Sequence, residues 1–341
     1  MNKKKWLLGL ASTLTLSLAL AGCGGGTNQG NNQGNQGGAK PAENKPAAGQ
    51  QMTIATGGTA GTYYPLGGGI AQILKNKANI NANAQTTGAS VENMRLLKDG
   101  SVDIAFTQGD IAEYAAKGTM MFEKGGAIKN FKALAALYPE TIQLVVPANS
   151  PIKTIADLKG KKVSVGAPGS GTEANAQQIL EVYGLKFEDL KVQRLSFAES
   201  TSGLKDGTLD AAFVTAGTPT SAVSELGATK GVRILEVDAD HAKKLIDKYP
   251  YYAVQKIPGK TYTGQDTDVN TVAVQSMLVV RADLDEKTVY DVTKAIFENL
   301  DQLGNVHAKG KEVKLEKALS GVSIEVHPGA AKYYSEKGVK K

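Results

Sequence analysis

Strand-forming and helix-forming segments alternate along this chain, and that alternation predicts an α/β fold in two lobes. Three observations lead there. Lys98-Asp99-Gly100-Ser101-Val102-Asp103-Ile104-Ala105-Phe106 returns as Lys205-Asp206-Gly207-Thr208-Leu209-Asp210-Ala211-Ala212-Phe213. Upstream of each copy lie an apolar strand, a glycine-rich loop and a helix-like run, over residues 54–74 and 163–180. Each glycine loop opens a helix, whose first backbone N–H groups are free to meet an anion. Two matching half-units of this kind predict two lobes facing one another across a cleft.

The elements follow in order. Residues 52–56 read as a strand, and residues 57–65 as a glycine-rich loop. Ile70, Ile73 and Leu74 then recur at helical spacing. Residues 81–86 form a second strand. Thr87 or Ser90 caps the next helix, which turns Val91, Met94, Leu96 and Leu97 to the core and ends at Gly100. Residues 102–106 form a third strand and deliver Thr107, Gln108, Gly109 and Asp110 at its carboxyl end. Strands separated by helices imply parallel pairing. Residues 134–146 make a strand running between lobes. In the second unit, residues 163–166 lead into the loop 167–172 and a helix through Ala176, Ile179, Leu180 and Val182. The strand 276–280 returns the chain to the first lobe, where residues 289–303 pack as an amphipathic helix. The expected domains are therefore 52–144 with 276–341 as lobe 1, and 145–275 as lobe 2.

Residues 1–22 read as a lipoprotein signal peptide. Lys3, Lys4 and Lys5 precede an apolar run over residues 6–20, and Leu20-Ala21-Gly22-Cys23 fits the pattern cleaved before a lipidated cysteine. Cys23 is the only cysteine; the alternative is a free thiol after an ordinary secretory signal. Residues 23–51, rich in Gly, Asn, Gln, Pro and Ala, cannot offset the entropy of ordering and read as a flexible tether. The expected location is outside the cell, on the outer face of its membrane. A single cysteine allows no intrachain disulfide, so stability must come from apolar burial. Formal net charge is +6, from 39 Lys and Arg against 33 Asp and Glu, and falls to +3 without the three signal lysines. The lysines and arginines are not clustered with aromatics, which argues against nucleic acid as a partner. A monomer is expected.

The loops carry the chemistry. Gly166 and Gly171 have the spacing of a phosphate-binding P-loop, but Thr172 and Glu173 replace its Lys and Ser/Thr, so a nucleotide is disfavoured. One carboxylate is easier to hold: Gly169, Ser170, Gly171 and Thr172 offer N–H groups, two hydroxyls and a helix dipole. The competing reading is a turn that needs glycine for geometry alone. In the first loop, Gly58 and Thr59 precede Tyr63 and Tyr64, of which one covers an apolar stretch of ligand and the other packs. Gln108, Asp110, Thr215 and Thr218 end paired strands, where α/β sheets line their binding crevices. Asp110 either caps its helix or receives a ligand ammonium, and Ser90 and Asn93 are split between helix start and ligand contact. His241, His307 and His327 are scattered and read as surface residues, without metal-ligand spacing. No metal or cofactor is expected, and no paired titratable groups suggest catalysis.

Gly58-Thr59-Ala60-Gly61-Thr62-Tyr63-Tyr64-Pro65-Leu66-Gly67, Thr87-Gly88-Ala89-Ser90-Val91-Glu92-Asn93, Gln108-Gly109-Asp110 and Gly169-Ser170-Gly171-Thr172 together resemble the TAXI-type solute receptors of TRAP transporters. Ile257-Pro258-Gly259-Lys260-Thr261-Tyr262 and Gly264-Gln265-Asp266 extend the resemblance across the mature chain. It implies a type II periplasmic-binding-protein fold with a Venus-flytrap cleft, a TRAP-type membrane permease as partner, and glutamate-like or related carboxylates as ligands. Contacts carried over by position are Thr59, Tyr63, Ser90, Gln108, Ser170, Thr172 and Thr215. The same two-lobed scaffold also serves ligand-sensing domains and enzymes, and fold alone does not separate these roles.

Overall fold

The structure is a computed structural model and describes residues 51–340. The signal segment, Cys23 and the tether up to residue 50 lie outside the described residues. Two sequence units fold alike. The first runs β1 (Met52–Ala55), α1 (Tyr63–Ile73), β2 (Ala82–Gln85), α2 (Ser90–Lys98), β3 (Ile104–Gln108) and α3 (Gly109–Lys117), then enters the long strand β4 (Phe131–Pro147). The second runs β5 (Lys162–Ser164), α4 (Gly171–Val182), β6 (Lys191–Gln193), α5 (Phe197–Asp206) and β7 (Ala211–Ala216). It continues through α6 (Ser221–Lys230), β8 (Val232–Leu235), α7 (Ala239–Lys248) and β9 (Ala253–Ile257) to a second long strand, β10 (Val269–Arg281). The chain ends in α8 (Glu286–Phe297), α9 (Leu300–Val306) and α10 (Pro328–Glu336).

One sheet carries both units, in the order β2-β1-β3-β10-β4-β7-β5-β6. Its wings are parallel, β2-β1-β3 on one side and β7-β5-β6 on the other, and the ribbon β10-β4 between them is antiparallel. The repeated sequence element explains the likeness of the wings. Asp103 accepts a hydrogen bond from the Thr53 N–H through Oδ2 at 2.8 Å, and Asp210 does the same for Lys162 at 2.7 Å. Each repeat thus pins the start of its central strand. Gly100 and Gly207, at φ +68° and +74°, end the preceding helices in the left-handed conformation that glycine adopts without strain.

Apolar side chains fill both faces of the sheet. On β10, Leu278 packs into the core of α1, α8 and α10 while Val279 faces the opposite core beneath α2 and α3. On β4, Leu144 and Val145 likewise face opposite cores. This period of two, apolar on both faces, marks strands covered on both sides. Some details depart from the sequence reading. The returning strand begins at Val269 rather than 276, and the last long helix is broken into α8 and α9. His327 is buried rather than exposed: its Nδ1 accepts from the Gly329 N–H at the start of α10, and its Nε2 meets the Leu284 carbonyl.

Candidate functional site

A cavity of about 500 Å³, counting its open mouth, lies between the two wings. Tyr63 of α1 and residues of the loops before α1 and α2 form one wall; Ala167, Ser170, Thr172, Ser196 and Phe197 form the other; Glu140 of β4 lies between them. Four helices begin at this cavity. Thr62 is the N-cap of α1, Ala89 of α2, Ser170 of α4 and Ser196 of α5. Helix N-termini carry unsatisfied N–H groups and a partial positive charge. Among the described residues no lysine or arginine lines the cavity. Any positive charge offered to an anion there therefore comes from backbone.

The walls touch along their rims. The Val91 and Glu92 N–H groups, at the start of α2, donate to the Gly169 carbonyl of the opposite loop at 3.1 and 3.0 Å. That contact supersedes the expected cap of α2, since neither Thr87 nor Ser90 caps it. Gly169 reaches there at φ +73°. A Cβ on Gly88 would lie 2.5 Å from the Pro168 carbonyl oxygen, so only glycine admits the approach. The Gly217 N–H donates to Thr62 Oγ1 at 3.2 Å, and the Phe197 ring lies against Gly61.

Beneath the cavity a buried polar chain joins the halves. Tyr63 Oη donates to Glu140 Oε2 at 2.8 Å, and Gln108 Nε2 donates to the same oxygen at 3.3 Å. Gln108 Nε2 also reaches Asn175 Oδ1 at 3.1 Å, while Asn175 Nδ2 donates to Asp110 Oδ2 at 3.1 Å and to Tyr252 Oη at 2.9 Å. Gln178 continues the chain to Tyr114 at 3.0 Å. Burial pushes the Glu140 carboxyl up to about 8, against the lowering effect of its Tyr63 and Gln108 hydrogen bonds. Burial likewise lifts Asp110 to about 6, opposed by the Ile111 N–H and by Asn175. The Tyr63 hydroxyl is held well above its ordinary range, first by burial and then by the neighbouring Glu140.

The sequence-selected residues divide accordingly. Gly58, Tyr63, Ser170 and Thr172 line the cavity; Thr59, Tyr64, Ser90, Gln108, Gly169, Gly171 and Thr215 do not. Thr59 is exposed at the rim and Tyr64 is half-buried. Ser90 is buried beside the Tyr63 hydroxyl. Thr215 is buried, and its Oγ1 has no hydrogen-bond partner among the described residues. Asp110 is fully buried, accepts from Asn175 through Oδ2 and does not line the cavity. Ser170 Oγ accepts from the Glu173 N–H at 3.0 Å. Glu140, Asn175 and Phe197 escaped the sequence reading. The signal for Glu140 was present: it is the one acidic residue in the mostly apolar 17-residue strand β4.

Gly171 makes room for Gln108. A Cβ there would fall 1.9 Å from Gln108 Oε1 and 2.4 Å from its Cδ. The amide cannot retreat without giving up Glu140 and Asn175. Gly171→Ala is expected to lower stability by about 1–3 kcal/mol, the usual cost of overpacking together with a lost buried hydrogen bond. Chemical denaturation of the variant beside the wild type checks this.

Sheet and cavity define a two-lobed α/β binding-protein fold of the periplasmic type. A Bordetella bronchiseptica RB50 protein shares it at TM-score 0.52, with 21% identity over 84% of this chain and 80% of that one. PhnD1 from Prochlorococcus marinus, solved in complex with methylphosphonate, shares it at TM-score 0.52 with 11% identity, over 77% of this chain and 91% of its own. Residues 54–338 match the NMT1-like family, and the chain belongs to that family. A putative aliphatic sulfonates-binding protein of Escherichia coli K12 is 32% identical over 123 residues, which is 36% of each chain. The chain thus spans about a third of the length of that curated relative.

Proposed function

We propose that this protein is an extracytoplasmic solute receptor, anchored through lipidated Cys23, that captures a small carboxylate such as glutamate or a related amino acid or dicarboxylate. Residues 52–144 with 276–341 form one lobe and 145–275 the other, and their closure buries the solute for delivery to a TRAP-type permease of the TAXI kind. Capture proceeds without turnover. The observation that carries this reading is the convergence of four helix N-termini on one cavity lined by no basic side chain. Backbone donors fixed in advance hold an oxyanion without the desolvation cost of a buried lysine or arginine. Closing around the solute favours the closed state by the difference in affinity between the two states. A sulfonate or phosphonate is the second reading, favoured by the similarity to the E. coli sulfonates-binding protein.

Isothermal titration with glutamate, glutamine, glutarate and ethanesulfonate, together with assay for product, tests the reading. Binding without product supports the receptor; product formation sinks it. Thr172→Ala is expected to weaken binding of the preferred solute by about 1–2 kcal/mol, as loss of a hydroxyl hydrogen bond to an anion does. Unchanged affinity removes Thr172 from the contact set.

A further inference from the structure

Hydrogen-bond polarity fixes what Glu140 offers to the cavity. Asn175 Nδ2 donates to the Asp110 carboxylate, so Asn175 Oδ1 must be the acceptor that faces Gln108. Gln108 must then present Nε2, which donates onward to Glu140 Oε2. Tyr63 donates to that same oxygen. Two donors therefore converge on one carboxylate oxygen, while Oε1 takes no hydrogen bond among the described residues. Glu140 lines the cavity, only 3% exposed, and no lysine or arginine lines it with Glu140. The titratable groups facing it are Tyr63 on α1, Tyr138 on its own strand and Asp110 on α3, none of them a cation.

We infer that Glu140 is the specificity-determining residue of the cleft, reading a protonated amine on the solute while the helix N-termini hold its oxyanion. This rests on the receptor reading and narrows its ligands to amino acids and amino sulfonates. A buried carboxylate with a vacant acceptor and no protein cation is costly to ionise, and the solute supplies the missing positive charge. An oxyanion lacking the amine gives Glu140 no cation to ionise against and forgoes that charge-assisted contact. The recognition is thus split by sign. Backbone dipoles at the walls take the negative end, and one side chain on the sheet takes the positive end.

Matched pairs of solutes test this on the full-length protein: L-glutamate against glutarate, and taurine against ethanesulfonate. Each pair keeps the acid and changes only the amine. In at least one pair the amine-bearing member is expected to bind at least about tenfold more tightly in the wild type, the value of one charge-assisted hydrogen bond. Glu140→Gln, nearly equal in shape, is expected to shrink that ratio to within about threefold. The wild-type ratio alone keeps the inference falsifiable should the variant not fold. Equal binding of both members of each pair, or a ratio unchanged in Glu140→Gln, overturns the role of Glu140 and leaves the receptor standing. No binding by any of the four solutes overturns both.

Discussion

Replacing Asn175 with alanine is expected to destabilise the protein by about 3–5 kcal/mol, the cost of breaking a buried polar network by removing one member. Asn175 supplies partners on three sides: it accepts from Gln108 and donates to Asp110 and Tyr252. Alanine would leave the Asp110 carboxylate, whose Oδ1 is already without a partner among the described residues, wholly unpaired apart from local backbone. The residue sits on α4 while Gln108 and Asp110 belong to β3 and α3, so the variant also loosens the closed halves. Denaturant unfolding measures the first effect and small-angle scattering the second. A loss below about 1 kcal/mol, typical of a single exposed hydrogen bond, would show that the network is not cooperative.

Raising the pH from about 5 to about 8 is expected to destabilise the ligand-free protein through Glu140. The folded carboxyl titrates near 8 instead of the ordinary 4.5. Within that window the folded form holds a proton that the unfolded form has released, so stability falls as pH rises. Each pH unit inside the window costs up to about 1.4 kcal/mol. Asp110, raised from 3.8 to about 6, adds to the slope only at its lower end. Glu140→Gln is therefore expected to flatten the profile between pH 6 and 8 and to leave, below pH 6, only the share of the slope that Asp110 contributes. Melting curves of the two proteins at matched pH decide it. Parallel profiles would show that Glu140 is not the group that titrates.

Much of the architecture was legible in the residues because it was written twice. The repeated Lys-Asp-Gly element became two helix ends and two parallel wings, and its aspartates do the same work in each. The two glycine loops do approach one cavity, through Gly58 and Tyr63 on one side and Ser170 and Thr172 on the other. Individual contacts were less legible, because spacing along the chain says nothing about which way a jaw surface turns. Gly169 and Gly171 read as ligand donors; the Gly169 N–H instead meets the Glu173 carboxylate at 3.2 Å and its carbonyl accepts from α2, while Gly171 yields space to Gln108. Glu140 lies far from either loop in sequence, and Asn175, three residues past Thr172, is joined to it through Gln108 only once the sheet is assembled. A lone carboxylate within a mostly apolar strand is a readable sign, although a solitary acid has none of the pairing that marks a catalytic site.

The paired strands β4 and β10, 17 and 13 residues long, traverse both cores without interruption. Their ladder slips register between Gln275 and Met277, where the Ser276 hydroxyl donates to the Tyr138 carbonyl at 2.7 Å and accepts from the Tyr138 N–H at 3.2 Å. Sliding one strand past the other would sever the ladder, whereas flexing it at the slipped register severs almost nothing. The gape available to an entering molecule is then set by how far a continuous ribbon can curve. Bulk alone would turn away large solutes, by mechanics, before any side chain in the cleft had met them.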